Sequence, residues 1–211
     1  MISIPNLCAV VVLCGGESRR MGRDKALVDL DGSPVLRRHI DEIRSLNLQV
    51  PLYISSGAKR YAILDDCGVT YVPDVVPGAG PLSGLAGALN TASDAGGAND
   101  HVFAMPVDTL LPASILLAEL TKASVAASDV VLIKGQRLHP VHGLFPVSLA
   151  QPLKQFIESG GRAVMGFLDG LDIEEVAIDE NWEPCMNFND PDEFVAACEV
   201  LAQITALKSQ P

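Results

Sequence analysis

Apolar residues recur along this chain in two rhythms. Short unbroken runs, many of them β-branched, predict strands buried on both faces at residues 9–13, 51–55, 69–72 and 101–105. Between these runs the apolar positions fall three and four apart, the spacing of one helix face. One predicted helix is opened by Pro34 and runs through Ile40, Ile43 and Leu46. A small-residue helix ends at Ala92 after a Pro/Gly-rich loop at 73–81, and a third covers 112–123 with Ile115, Leu116, Leu117 and Leu120 inward. Residues 26–30 and the Asp31-Gly32 turn predict a short hairpin.

The second half continues the alternation. Strands are predicted at 129–133 and 142–145 around a turn at 134–137, then helices at 147–159 and 163–168 and a strand at 175–178. Asp190 and Pro191 read as N-cap and first residue of a last helix ending near Leu207. Strand-helix alternation predicts an α/β fold: one domain, three layers, doubly wound around a mostly parallel sheet. Ligands of such sheets bind beyond the carboxyl ends of the strands. The first-strand loop, Asp74 and Asp108 all fall at such ends.

The length of 211 residues suits a single domain with a sizeable core. No apolar run approaches the roughly 18 residues of a membrane span, and no basic n-region precedes the first strand, so neither a membrane anchor nor a signal peptide is expected. Five cysteines, odd in number and without a C-x-x-C pair, imply reduced thiols, a cytoplasmic setting and no structural zinc. A net charge of −11 excludes a broad nucleic-acid-binding face. The positive charge is local. Directly after the first strand come Gly15 and Gly16, and then Arg19, Arg20, Arg23 and Lys25. Glycines at a strand end let backbone N–H groups approach an anion, and the cations suit its phosphates.

Two familiar phosphate motifs do not fit. A P-loop requires a second glycine where this chain has Met21, and the dinucleotide fingerprint G-x-G-x-x-G lacks its spacing. The pattern that fits is L-x-G-G-x-x-x-R-M-G-x-D-K, from Leu13 to Lys25. Here the chain resembles nucleotidyltransferases that activate small molecules with NTPs, most closely the molybdenum cofactor guanylyltransferase family. Leu13, Cys14, Gly15, Gly16, Arg20, Met21, Gly22 and Lys25 occupy matching positions, with Cys14 in place of the usual alanine. The resemblance extends from Val11 to Phe194.

It implies a Rossmann-like nucleotidyltransferase fold, with a nucleotide-binding half at about residues 1–110 and an acceptor-binding half at about 111–207. Lys25 and Arg20 are expected on the nucleotide's phosphates, and Asp108 is expected to hold Mg²⁺, a hard cation suited to carboxylate oxygens. Asp74 and, more loosely, Ser55 match positions facing the nucleotide. Gly80 and Gly84, in the family's G-P-L-x-G, place a helix N-terminus near the site; close helix packing is the alternative for Gly84. Asn187 and Asn189 match asparagines associated with the pterin-bearing substrate, with helix capping as the alternative for Asn189 and Asp190. Arg162 is expected to contact the acceptor's phosphate. His139 and His142, three apart in a strand, are expected to face opposite ways and to form no metal site.

The implied reaction transfers GMP from GTP to the terminal phosphate of molybdopterin, releasing pyrophosphate. Because that phosphate is already ionised, no catalytic base is needed. The implied partners are GTP, a molybdopterin-type acceptor and, transiently, other molybdenum cofactor proteins. Two other readings stay open: a cytidylyl- or sugar-phosphate nucleotidyltransferase, and a nucleotide-binding regulator without catalysis. The paired glycines favour GTP, because A-A-G loops accompany CTP; retention of both Lys25 and Asp108 favours an enzyme.

Overall fold

The computed structural model describes residues 4–15, 20–94, 97, 100–123 and 130–208. In chain order the strands are β1 (Leu7–Leu13), β2 (Asp29–Leu30), β3 (Ser33–Pro34), β4 (Leu52–Ser55), β5 (Thr70–Val72), β6 (His101–Pro106), β7 (Val130–Lys134), β8 (Leu138–Pro146) and β9 (Ile173–Ala177). The helices are α1 (Val35–Ser45), α2 (Pro81–Ser93), α3 (Ala113–Leu120), α4 (Ala150–Glu158), α5 (Val164–Leu168) and α6 (Pro191–Lys208).

Seven strands form one sheet in the order β5–β4–β1–β6–β8–β7–β9. All neighbours are parallel except β8, which runs antiparallel to both β6 and β7. After β5 the chain crosses back over β1 to add β6 on its other side. The order therefore reverses between β1 and β6, the place where an open α/β sheet leaves a crevice.

Alternation along the strands explains the three layers. Val10 and Val12 of β1 and Phe103 and Met105 of β6 point into the core shared with α1, α3 and α6. Ala9, Val11 and Leu13, with Val102 and Ala104, point into the opposite core with α2 and α4. Burial on both faces is why these strands read as unbroken apolar runs.

The predicted elements stand, with shifts at their ends. The hairpin is shorter than expected: residues 25–27 form a 3₁₀ turn, and only β2 and β3 pair. Asp31 and Gly32 between them both take positive φ, as a two-residue I′ turn requires. β8 begins at Leu138 rather than His142. The expected helix at 147–159 divides into a 3₁₀ turn at 147–149 and α4. Residue 129, the expected start of a strand, lies outside the described residues, and β7 begins at Val130.

Candidate active site at the carboxyl edge of the sheet

The register of the central strands sets up the site. Leu13 lies level with Ser55 on one side and Pro106 on the other. The chain then leaves β1 tied to both neighbours, with Cys14 N–H donating to the Ser55 carbonyl at 2.7 Å and Val107 N–H donating to the Leu13 carbonyl at 2.9 Å. Gly15 and Asp108 consequently line one cavity of about 340 Å³ beyond the strand ends. Pro81, Arg137, His139, His142 and Asn187 lie in the same wall.

Three distant segments meet at Asp108, in its wall. The Lys25 ammonium donates to Asp108 Oδ2 at 2.7 Å and to Asn189 Oδ1 at 2.9 Å. It also sits 5.6 Å from the centre of the Phe188 ring, within cation–π range. The side chains are largely shielded, Lys25 at 13% exposed and Asp108 at 21%. One salt-linked cluster thus joins the basic loop, the end of β6 and the segment before α6.

Asp24, the aspartate of the loop pattern, fixes the turn that carries Lys25. Asp24 is the N-cap of the 3₁₀ turn, accepting from Ala26 N–H at 3.1 Å. Its Oδ2 accepts from Lys59 Nζ at 2.9 Å and from the Tyr61 hydroxyl at 3.1 Å. Burial pushes this carboxyl's pKa up, but the hydrogen bonds from Lys59 and Ala26 outweigh it and hold it below the usual range. The same contacts bury the Tyr61 hydroxyl and raise its pKa. Gly22, at φ +65°, takes a backbone conformation that suits glycine.

The asparagine segment is pinned onto Asp108 much as a strand would be. Phe188 N–H donates to the Asp108 carbonyl at 3.1 Å, and Leu110 N–H donates to the Cys185 carbonyl at 2.7 Å. The Thr109 hydroxyl donates to the Met186 carbonyl at 3.2 Å and lies 2.6 Å from His142 Nε2. Asp190 caps α6 by accepting from Glu193 N–H, while the Glu193 carboxylate accepts from the Asn189 backbone and amide. Asn189 thus braces the start of α6 through Glu193 and turns its side-chain carbonyl oxygen to Lys25.

A second cavity, of about 490 Å³, opens beside the first between Arg20, Gln136, Arg137, Glu183, Asn187, Asn189 and Glu193. Arg137 and Asn187 line both cavities. The Arg137 guanidinium donates to Asn187 Oδ1 at 2.6 Å and pairs with Glu183 Oε1 at 3.2 Å. Neither Arg137 nor Glu183 carried a sequence signal, because their meeting depends on a turn and a 3₁₀ segment far apart in the chain.

Several expectations change. His139 and His142 do not face apart: their rings meet edge to face with centroids 5.3 Å apart. Two steps along β7, from Leu132 to Lys134, oppose five along β8, from Gly143 to Leu138, and this bulge breaks the alternation. Among the described residues no three potential metal ligands cluster. Burial and the adjacent His139 push the His142 pKa down to about 3. Arg162 donates to the carbonyls of Ile157 and Gly161 at the end of α4 and lines neither cavity.

Met21 is buried in the core, and the Cys14 thiol is buried, with its pKa raised by desolvation. Gly84 is a packing residue: a Cβ there would collide with the Ser55 hydroxyl. Gly80 caps α2 at φ +80°, ψ −166°, a conformation other residues avoid. Ser55 donates to Asp74 Oδ1 at 3.3 Å, and burial raises the Asp74 pKa. This pair sits at the ends of β4 and β5, outside both cavities. Gly16 and Arg19 lie outside the described residues.

The fold and site define a doubly wound α/β protein whose sheet edge gathers cations, a carboxylate and amides around two adjoining cavities. A family model described as the MobA-like NTP transferase domain matches residues 10–173. The chain is 35% identical over 198 residues to a molybdenum cofactor guanylyltransferase of Rhizobium johnstonii, covering 90% of each. Its fold is similar to the molybdopterin-guanine dinucleotide biosynthesis protein A of Archaeoglobus fulgidus, at a TM-score of 0.69 and 21% identity, over 92% of this chain and 99% of that one. It is also similar to Rv0371C of Mycobacterium tuberculosis, solved in complex with manganese, at a TM-score of 0.57 and 17% identity, over 92% and 98%. The protein is a nucleotidyltransferase. It belongs to the MobA-like NTP transferase family.

Proposed function

We propose that the protein transfers GMP from GTP to the terminal phosphate of molybdopterin and releases pyrophosphate, a step of molybdenum cofactor biosynthesis. The observation that carries this reading is the meeting of Lys25, Asp108 and Asn189 at the strand-order reversal. The 35% identity to a guanylyltransferase over nearly the whole chain supports the choice of nucleotide and acceptor. In this reading residues 1–110 form the nucleotide half, and about 111–207 form the acceptor half. The five free cysteines fit a cytoplasmic setting, and among the described residues no helix is long and apolar enough to cross a membrane.

The residues fit a divalent cation. Asp108 presents a carboxylate at a strand end, and Mg²⁺ is usually held by one or two carboxylates together with substrate phosphates. When bound there, Mg²⁺ supplies charge neutralisation on the triphosphate. The manganese complex of the Mycobacterium tuberculosis relative is consistent with a divalent ion in this fold.

The chain's own groups do the rest by position and charge. Lys25, held at the nucleotide edge by Asn189, exchanges its contact with Asp108 for the nucleotide's phosphates. Arg20 faces the neighbouring cavity and adds a second cation. The acceptor's phosphate oxygen forms a bond to the α-phosphorus of GTP, and the bond from that phosphorus to the bridging oxygen breaks. Pyrophosphate leaves with that electron pair. The nucleophile is already ionised, so no side chain need accept a proton.

Thermal shift with the four NTPs and Mg²⁺ tests the nucleotide. A ligand at 100 times its dissociation constant adds about 2.7 kcal/mol. GTP is expected to raise Tm most; a larger rise with CTP moves the protein to the cytidylyl branch.

A further inference from the structure

We propose that Arg137 binds the phosphate of the acceptor, and that Glu183 and Asn187 hold its guanidinium ready where the two cavities join. The inference rests on the nucleotidyltransferase reading above and names the residue that would receive the second substrate.

The two cavities need a shared anion site. The nucleotide's phosphates belong beside Asp108, which lines the first cavity, and its partner Lys25, and the acceptor must bring a second phosphate up to them. Two such groups repel, so a cation is required between them. Arg137 is placed there, lining both spaces with its side chain 65% exposed. Its contacts with Glu183 Oε1 and Asn187 Oδ1 leave other N–H donors of the planar fork unused. A fork of this kind matches phosphate oxygens pairwise.

The mount for that fork is built into the fold. The Glu183 side chain is only 15% exposed, and its Oε2 accepts from Gln136 N–H at 3.0 Å and from His139 Nε2 at 3.1 Å. Gly135 completes it: a Cβ there would strike the Glu183 carboxylate. The turn carrying Arg137 thus wraps the carboxylate that orients it. The other arginine considered for the acceptor, Arg162, is spent on backbone carbonyls elsewhere.

The test is steady-state pyrophosphate release with GTP, Mg²⁺ and molybdopterin, using wild type, Arg137→Ala and Arg137→Lys. Arg137→Ala is expected to raise the KM for molybdopterin about tenfold or more, the scale of one lost charge-assisted contact. The KM for GTP should rise less than the KM for molybdopterin, because in this reading the nucleotide's phosphates keep Lys25 and Arg20. Arg137→Lys should fall between, because lysine keeps the charge and loses the fork. An unchanged acceptor KM in Arg137→Ala overturns the assignment. So does a matched rise in both KM values with a lower Tm, the signature of a merely structural arginine. Wild type that releases no pyrophosphate with molybdopterin overturns the reading of the acceptor, and the Arg137 assignment with it.

Discussion

The Lys25 ammonium lies 2.7 Å from the Asp108 carboxylate, although 83 positions separate the two residues. The pair joins the basic loop to the end of β6 and sets the polarity of the candidate site. Lys25→Ala should lower turnover by roughly 10² or more, the cost of losing one preorganised charge-stabilising group. Folding should change little, because the partly exposed Asp108 can be rehydrated. Turnover of the variant against its Tm checks both halves of the expectation; near-normal turnover removes Lys25 from the chemistry.

Asp24 is expected to matter as the mount of that lysine. Asp24→Ala removes an N-cap worth about 1 kcal/mol and releases Lys59 and Tyr61 from the loop. Both urea stability and GTP affinity should fall. Lower stability with unchanged GTP affinity would show that the clamp holds the fold but does not aim Lys25.

Gly84 should not tolerate alanine. The added Cβ meets the Ser55 hydroxyl and Cβ and closes on Leu13, so Gly84→Ala should cost about 1–3 kcal/mol, as overpacking does. Adding Ser55→Ala removes the hydroxyl and should restore part of the loss. A Gly84→Ala protein as stable as wild type would show that α2 can move away from β4 freely.

Stability should fall in mild acid. His39, His139 and His142 all have pKa values lowered by burial, His142 to about 3. The unfolded chain therefore binds more protons than the folded one below about pH 6.5, the ordinary histidine value. Their contribution is complete above that pH and is lost progressively as pH falls toward the folded values. Urea midpoints at pH 7.5, 6.0 and 5.0 should descend; a flat profile contradicts the burial of these rings.

Much of this was legible in the residues. β1 shows itself as an apolar run because both its faces are covered, and Asp108 stands out as a carboxylate at a strand end. The loop pattern from Leu13 to Lys25 pointed to the family and to Lys25. What stayed hidden depended on irregular backbone. The bulge in β8 turned His139 and His142 toward one another, against simple alternation. Glu183 meets Arg137 only because Gly135 leaves room beneath a turn. Gly84 carried two meanings in the sequence, and the proximity of Ser55 selects packing.

Pyrophosphate release from GTP, with molybdopterin and Mg²⁺, by wild type and Asp108→Asn side by side tests the central claim most directly. The substitution keeps size and shape and removes the charge, so Tm should barely change. Wild type should release pyrophosphate faster with GTP than with CTP. Asp108→Asn should lose release by roughly 10² or more, while its metal-free affinity for GTP stays equal or tightens, because a carboxylate no longer faces the triphosphate. Wild-type rates in Asp108→Asn would contradict the assignment of this sheet edge as the active site.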